Sequence, residues 1–265
     1  MGTVLASCTI KVRGLRVLVT AGAGGIGRAI AEKLVSAGAR VHVTDVVAAT
    51  LQDAVSSIPG LTGSQGDASL AADVDRVVAD VASRFQGLDV LVNNVGIAGP
   101  TGGVETYSDA DVERTIDTNL KSHFYFLERC VPLLKASAGN PSVLAISSVA
   151  GRLGYGYRTP YAATKWAIVG LVKSLASELG PHGIRANAIL PGLVRGARMD
   201  AVIADRARAV GMSFEEMRET YLSKISLRRM VDAEDIANLA LFLSSDWARN
   251  ITGQAISVDG NVEYL

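Results

Sequence analysis

Short apolar runs rich in β-branched residues alternate along the chain with longer amphipathic stretches. The apolar runs are typical of strands buried on both faces of a sheet, and they occupy residues 16–20, 41–45, 90–94, 142–147, 185–190 and 254–258. The amphipathic stretches predict helices at residues 26–37, 70–85, 109–136, 161–179 and 233–243. The stretch at 109–136 is long enough for one long helix or for two helical segments.

This alternation predicts the fold class. Strands that alternate with helices form right-handed βαβ units, which build a parallel sheet covered by helices. We therefore predict an α/β fold in which one Rossmann-type, doubly wound parallel sheet of about seven strands carries helices on both faces. The sequence shows no internal repeat, low-complexity segment or linker, so residues 1–265 are expected to form a single domain.

Residues 195–229 depart from this alternation. Charged residues are interleaved there with apolar ones such as Met199, Val202 and Phe214, a pattern that predicts one or two amphipathic helices. Because the segment follows a predicted strand, it is expected to lie over the carboxyl edge of the sheet. There it forms either a small helical lid over a ligand site or an ordinary pair of surface helices.

The bulk composition argues against several classes of function. Lysine plus arginine and aspartate plus glutamate both number 26, so the chain has no basic surplus for nucleic acid. No apolar run reaches membrane-spanning length, and Cys8 and Cys130 form no metal or disulfide pattern. His42, His123 and His182 lack metal-ligand spacing. We expect a cytoplasmic protein with no metal, nucleic-acid or membrane partner.

Tyr161 and Lys165 are candidate catalytic residues. Positions i and i+4 of a helix share a face, so the Lys165 ammonium is expected beside the Tyr161 phenol. A free phenol titrates near ~10 and is a poor base at neutral pH, but a neighbouring positive charge stabilises its anionic form. Ser148, near a predicted strand end, can bring a hydroxyl to the same place. The three side chains together suit proton transfer to or from an alcohol or a ketone.

The first predicted strand leads directly into the glycine-rich sequence TAGAGGIG at residues 20–27, where a helix begins. Glycines let the backbone turn tightly and approach a pyrophosphate, and the free amides of a helix N-terminus attract its charge. Between the first strand and the first helix of an alternating fold, such a sequence predicts a dinucleotide site.

Asp45 ends the second predicted strand, eighteen residues after Gly27. A carboxylate there accepts hydrogen bonds from the adenosine ribose hydroxyls and repels a 2′-phosphate. No arginine directly follows Asp45 to neutralise such a phosphate, which favours NAD over NADP. Asp67 and its neighbour Ala68 are expected near the adenine, and Asn94 is expected to fix the backbone beside the adenosine.

These motifs, in this order and spacing, resemble the short-chain dehydrogenase/reductase family over residues 14–264. The catalytic residues that the resemblance implies are Asn119, Ser148, Tyr161 and Lys165. The cofactor-binding residues that it implies are Gly22, Gly24, Gly25, Ile26, Gly27, Asp45, Asp67, Ala68, Asn94, Tyr161, Lys165, Pro191, Gly192 and Val194.

Three positions depart from the family's pattern. Ala21 stands where the first glycine of the loop is usual, and Gly22 is expected to offset the change. Val95 stands where the family has alanine. The threonine that usually follows the Pro-Gly pair at 191–192 is missing, so backbone groups near Val194 are expected to hold the nicotinamide carboxamide.

The resemblance implies an NAD-dependent oxidoreductase that interconverts a secondary alcohol and its ketone by hydride transfer. Tyr161 would be the general base or acid, Lys165 would stabilise its phenolate and bind the nicotinamide ribose, and Ser148 would polarise the substrate oxygen. Asn119 would distort its helix and hold a water that links Lys165 to solvent. The partner molecule would be a small hydroxy or keto compound.

Four arginines flank the expected pocket, namely Arg152, Arg158, Arg195 and Arg198. They either bind a polar or anionic group of the substrate or make ion pairs with acids of the segment 195–229. The family resemblance also implies a homotetramer, built through the helices at 109–136 and 161–179 and the last strand. Phe124 and other apolar residues of these helices face either a partner subunit or the core.

Three alternative functions are open from the sequence. An NADPH-dependent 3-oxoacyl-carrier-protein reductase is disfavoured by Asp45. A nucleotide-sugar epimerase usually needs a larger substrate domain than this chain supplies. A non-catalytic NAD-binding sensor or scaffold is disfavoured by the intact set of Ser148, Tyr161 and Lys165.

Overall fold

The computed structural model describes residue 10 and residues 12–264, and in this part of the chain seven parallel strands form one sheet. The strands are β1 (Arg16–Thr20), β2 (Arg40–Asp45), β3 (Thr62–Gln65), β4 (Val90–Asn93), β5 (Ser142–Ile146), β6 (Arg185–Pro191) and β7 (Ala255–Val258). The helices are α1 (Gly25–Ser36), α2 (Ala48–Ser57), α3 (Ala71–Phe85), α4 (Asp109–Ile116), α5 (Ser122–Lys135), α6 (Thr159–Leu179), α7 (Ala197–Val210), α8 (Phe214–Ser223) and α9 (Ala233–Ser244). The strand order β3-β2-β1-β4-β5-β6-β7 confirms the predicted doubly wound α/β fold.

The sheet separates two hydrophobic layers. Successive residues of a strand point to opposite faces, so Val17 and Val19 join one layer while Leu18 joins the other. Helices α1, α2 and α9 cover the first face, and α3, α5 and α6 cover the second. Removal of this apolar surface from water is the main force that holds the helices on the sheet.

The stretch predicted as one helix or two is two helices joined by a π-helical turn. Helix α4 ends at Ile116, the π turn covers Asp117–Lys121, and α5 begins at Ser122. A π turn places one extra residue in the helical path, a distortion that is frequent at functional sites. The turn carries Asn119, which agrees with the expectation that this residue lies where its helix is distorted.

Helices α7 and α8 lie within the segment predicted as a lid. Their inward side chains, including Ile203, Met217 and Tyr221, form a third apolar cluster with Leu193 and Val149. Leu193 follows β6 and Val149 follows β5, so the two helices cover the carboxyl edge of the sheet. That this pair opens and closes stays a prediction.

Among the helices of the described residues, none has both the length and the apolar character that a membrane span requires.

Cys130 is buried in α5, where burial raises the pKa of its thiol to about 12. It is therefore an apolar core residue rather than a nucleophile. Cys8 lies outside the described residues.

The turn from β1 to α1 contains a strained residue. Ala21 has a φ of 48°, a left-handed conformation that costs a residue with a Cβ about 1–2 kcal/mol. Gly22 does not relieve this strain, because its own φ is not positive. It has a different role. A Cβ on Gly22 would lie 2.6 Å from Cγ1 of Val43, so close packing on β2 is what excludes a side chain there.

We expect the substitution Ala21→Gly to raise the free energy of unfolding by about 0.5–1 kcal/mol. Glycine relieves the left-handed strain, and its greater freedom in the unfolded chain cancels part of the gain. Denaturant unfolding measures the difference. The neighbouring Gly22→Ala variant is the matched control and is expected to be less stable than the wild type; a loss of stability in Ala21→Gly would contradict the strain.

Candidate active site

A cavity of about 640 Å³ lies along the carboxyl edge of the sheet. Its lining includes Asp45 at the end of β2, Gly24 after β1, Ser148 after β5 and Tyr161 on α6. Carboxyl ends of parallel strands meet at one edge, so residues far apart in sequence share one site. The cavity therefore brings the predicted dinucleotide motif and the predicted proton-transfer residues together.

Helix α6 presents Tyr161 to the cavity and buries Lys165 beneath it. The Lys165 Nζ lies 5.7 Å from the centre of the Tyr161 ring, as the i, i+4 spacing predicted. The ammonium donates to the carbonyl of Ile146 at the end of β5, over 2.9 Å. Burial, and secondarily the charge of Arg198, lowers the pKa of Lys165 to about 7. An anion beside this amine would favour its protonated form.

Two neighbours fix the position of Lys165. The Ser147 hydroxyl donates to the backbone carbonyl of Lys165 over 2.7 Å, which ties the helix to the end of β5. A Cβ on Gly96 would lie 3.3 Å from the Lys165 Nζ, so the glycine leaves room for the ammonium. A role for Ser147 could not be predicted from the sequence, because only the folded arrangement shows what its hydroxyl contacts.

Asn119 joins three elements at the edge of the site. Its Oδ1 accepts a hydrogen bond from the Ile97 amide over 2.7 Å, and its Nδ2 donates to the Ile97 carbonyl over 3.1 Å. Nδ2 also lies 3.3 Å from the Thr164 hydroxyl on α6. The side chain is therefore occupied by structural bonds, so any contact with a relay water falls to its backbone.

Ser148 begins the short 3-10 turn Val149–Gly151 that follows β5. Its Oγ accepts a hydrogen bond from the Ala150 amide over 3.2 Å, which leaves the hydroxyl proton available for donation. Ser148 and Tyr161 line the same cavity. A substrate oxygen held between them would meet a hydrogen-bond donor and a proton-transfer group.

The residues of the glycine-rich turn divide into two groups. Gly24, Gly25 and Ile26 line the cavity at the N-terminus of α1, and a Cβ on Gly25 would meet nothing within 4 Å. A phosphate can therefore approach these backbone amides closely. Gly27 instead packs inward, because a Cβ there would lie 2.3 Å from the Ala21 carbonyl oxygen.

Asp45 and Asn94 order the backbone beside this turn. Asp45 accepts hydrogen bonds from the Ala23 and Val47 amides over 3.3 and 3.1 Å, and it also lines the cavity. Asn94 donates to the carbonyls of Thr20 and Ala21, over 3.0 Å in each case. The carboxylate, the open glycines and the helix N-terminus fit a nicotinamide dinucleotide.

The segment after β6 supplies the far wall of the cavity, which Pro191, Gly192 and Val194 line. The Arg195 amide donates to the Val231 carbonyl, and the Val231 amide donates to the Leu193 carbonyl. This parallel bridge directs the N–H and C=O of Val194 away from Val231. That these groups hold the nicotinamide carboxamide stays a prediction.

Asp67 and Ala68 are not among the residues that line the cavity. The Asp67 carboxylate instead accepts hydrogen bonds from the Ser69 amide and hydroxyl, over 2.8 and 2.7 Å. The contact of Asp67 and Ala68 with an adenine stays a prediction.

Among the described residues, no group of three or more His, Cys, Asp and Glu side chains lies together as metal ligands would.

The four arginines have different surroundings. Arg152 pairs with Asp259 over 2.7 Å, and Arg195 pairs with Asp232. Neither acid belongs to the segment 195–229. The expected alternative, in which the four arginines form ion pairs with acids of that segment, is therefore wrong. Arg158 and Arg198 line the cavity and donate to backbone carbonyls. The ion-paired Arg195 lines it too. Arg152 does not line it.

Several residues that line the cavity could not be predicted from the sequence as ligand contacts. Thr50 on α2 and Ala233 on α9 line the cavity, and both belong to ordinary amphipathic helices in the sequence. Met199 and Val202 on α7 also line it, which supports the placement of the predicted lid over the site.

Comparisons with known proteins identify the family. A family model described as enoyl-(acyl carrier protein) reductase matches residues 21–262. A tropinone reductase homolog of Arabidopsis thaliana is 35% identical over 95% of this chain and 80% of its own length. The 3-oxoacyl-[acyl-carrier-protein] reductase FabG of Staphylococcus aureus is 34% identical over 92% of this chain and 96% of its own length.

Solved structures share the fold of this chain. Levodione reductase superposes with a TM-score of 0.88 and 28% identity, covering 95% of this chain and 97% of that protein. An NAD+-bound xylitol dehydrogenase superposes with a TM-score of 0.90 and 25% identity, covering 95% of this chain and 100% of that protein. The chain belongs to the short-chain dehydrogenase/reductase family, whose members are oxidoreductases that bind a nicotinamide dinucleotide and act on small molecules.

Proposed function

We propose that this protein is an NAD-dependent dehydrogenase that interconverts a secondary alcohol and its ketone. The observation that carries the proposal is the single cavity that Ser148, Tyr161, Asp45 and the open glycine turn all line, with Lys165 buried beneath the tyrosine. The turn and the carboxylate suit a dinucleotide, and the hydroxyl pair suits an alcohol. The bound cofactor would supply the hydride chemistry.

The chain's own residues would position the substrate and move its proton. The Ser148 hydroxyl donates a hydrogen bond to the substrate oxygen, and the Tyr161 phenolate accepts the proton of the alcohol. The Lys165 ammonium stabilises that phenolate across the 5.7 Å to its ring. In the reverse direction the Tyr161 hydroxyl returns the proton to the ketone oxygen.

Asp45 supports NAD over NADP. Its carboxylate lines the cavity after β2, where the adenosine ribose of a dinucleotide lies in this fold. A 2′-phosphate at that position would meet the negative charge of Asp45. Arg28, the nearest basic residue on α1, is engaged by Asp53 and Glu32 and does not line the cavity. The similarity to FabG supports the competing NADPH-dependent 3-oxoacyl reductase.

We also propose a homotetramer. Phe124 on α5 and Trp166 on α6 are each half exposed, and large apolar surface on the two helices of the predicted interface suits a partner subunit. Phe126, also on α5, is buried in the core and is not part of this surface.

The cytoplasmic location of the protein stays a prediction.

The direct test offers the purified protein NAD or NADP with a panel of secondary alcohols and follows reduction of the cofactor. We expect reduction with NAD, little with NADP, and a loss in kcat of roughly 100- to 10,000-fold in Tyr161→Phe, because the proton acceptor is removed. NADH binding by Tyr161→Phe should stay near the wild-type level. Activity mainly with NADP would favour the reductase, and NAD binding without turnover would favour a sensor.

We expect Asp45→Asn to weaken NAD binding roughly 10-fold, because a charged acceptor for the ribose hydroxyls becomes neutral. NADP binding should improve in the same variant, since the repulsion of its 2′-phosphate is removed. Fluorescence titration with both reduced cofactors measures the two effects. Asp246→Asn, which removes a carboxylate outside this cavity, is the matched control, and equal changes in both variants would contradict a role for Asp45.

A further inference from the structure

The charged residues that line the cavity are divided between its two parts. Asp45 is the only carboxylate among the described lining residues, and it lies after β2. Three arginines also line the cavity: Arg158 lies beside Tyr161, Arg198 lies near enough to Lys165 to affect its pKa, and Arg195 is paired with Asp232. The lining around Tyr161 and Lys165 therefore carries the charges of Arg158 and Arg198 and no carboxylate among the described residues.

Arg158 is the least compensated of these arginines. The residue is only 3% exposed, and its guanidinium makes no ion pair within 4 Å among the described residues. Its Nη2 donates to the Ala98 carbonyl, whereas its Nε is buried without a hydrogen-bond partner in the described part of the chain. A buried charge with so few partners is costly unless a ligand supplies the missing ones.

Of the two aromatic neighbours of Arg158, Tyr155 does not neutralise it. Its guanidinium carbon lies 5.3 Å from the centre of the Tyr155 ring and 5.0 Å from that of Tyr161, distances that suit cation–π contact. Burial raises the pKa of Tyr155 far above its ordinary value, and its hydroxyl is bonded to that of Tyr221 over 3.0 Å. Tyr155 therefore stays uncharged and orients the guanidinium without balancing its charge.

Arg185, a second buried arginine, makes more hydrogen bonds than Arg158. Arg185 is likewise buried without a carboxylate within 4 Å among the described residues, and its Nη2 also lacks a hydrogen-bond partner there, but its Nε donates to Asn140 and its Nη1 donates to the Leu243 carbonyl. Arg185 does not line the cavity. Arg158 makes one such bond and lines the cavity beside Tyr161, as expected for a group that completes its hydrogen bonds with a ligand.

We propose that Arg158 binds a carboxylate of the substrate, so that the enzyme acts on hydroxy acids and the corresponding oxo acids. The proposal rests on the proposed function and narrows its substrate class. Guanidinium and carboxylate match as charged hydrogen-bonding partners. Because Arg158 stacks on the Tyr161 ring, the carboxylate and the reacting hydroxyl must be separated by a short chain. Arg198, on α7, adds a second positive charge to the same cavity.

The test compares kcat/KM for hydroxy acids of increasing chain length with kcat/KM for their methyl esters, with NAD as cofactor. The wild type is expected to prefer the acid roughly 10-fold or more, because the ester lacks the charge that Arg158 would bind. Arg158→Gln is expected to lower kcat/KM roughly 10- to 100-fold for the acid and less than about 3-fold for the ester. Arg158→Lys should recover part of the loss.

Arg206→Gln is the matched control. Arg206 lies 4.0 Å from the Tyr157 ring centre and bonds the Gly156 carbonyl in the same loop, but it does not line the cavity. This variant should keep the wild-type preference for the acid. NADH binding is measured in parallel, and an Arg158→Gln variant that weakens NADH binding as much as acid turnover would assign Arg158 to the cofactor diphosphate and overturn the proposal.

The outcomes separate this inference from the proposed function. If neutral alcohols are oxidised with NAD and esters are used as well as acids, only the carboxylate proposal is overturned. If no alcohol of either kind reduces NAD, the proposed function and the inference are both overturned. If Arg158→Gln does not fold, the wild-type ratio of kcat/KM for the acid to kcat/KM for the ester tests the proposal instead. A ratio near one overturns it.

Discussion

The buried ammonium of Lys165 is the constraint on which the site depends. Its position beneath Tyr161 removes it from water, and burial lowers its pKa to about 7. The chain offsets this cost with the Ile146 carbonyl, which accepts the ammonium's hydrogen bond, and with Gly96, which leaves room for it. Ser147 holds the same turn of α6 against β5. The end of β5, the loop after β4 and the start of α6 are thereby fixed relative to one another, which positions Tyr161 at the cavity.

The parallel sheet turns this local arrangement into a two-part site. Its strand order places the end of β2, with Asp45, on one side of β1 and the ends of β5 and β6 on the other. One elongated cavity can therefore have a carboxylate in one part and arginines in the other. The acid suits ribose hydroxyls, and the arginines suit an anionic group. Loops on rigid strand ends supply both, so the charge separation follows from topology.

Much of the fold could be predicted because it depends on periodicity. Six strands and the main helices have clear apolar patterns, and they appear within a few residues of the predicted limits. Strand β3 (Thr62–Gln65) has the sequence TGSQ and no apolar run, so it was not identified from its residues. The π turn Asp117–Lys121 also has no distinct pattern, because its extra residue lies within a continuous amphipathic stretch.

The site could be predicted at the level of residue types and only in part at the level of contacts. The spacing of Tyr161 and Lys165 places them on one helical face, and the structure shows them there. The surroundings of the arginines depend on tertiary packing, so the sequence could not separate the ion-paired Arg152 from the uncompensated Arg158. The left-handed conformation of Ala21 could not be predicted from the sequence either, although the absence of the usual glycine marked the position as unusual.

The most direct measurement follows the hydrogen that would be transferred. Secondary alcohols carrying deuterium on the carbinol carbon would be incubated with the protein and NAD, and the reduced cofactor would be examined by mass spectrometry. We expect one deuterium in the reduced nicotinamide, from direct hydride transfer between substrate and cofactor in the cavity that Ser148 and Tyr161 line. Reduced cofactor without deuterium, or a ketone formed without reduced cofactor, would contradict direct hydride transfer.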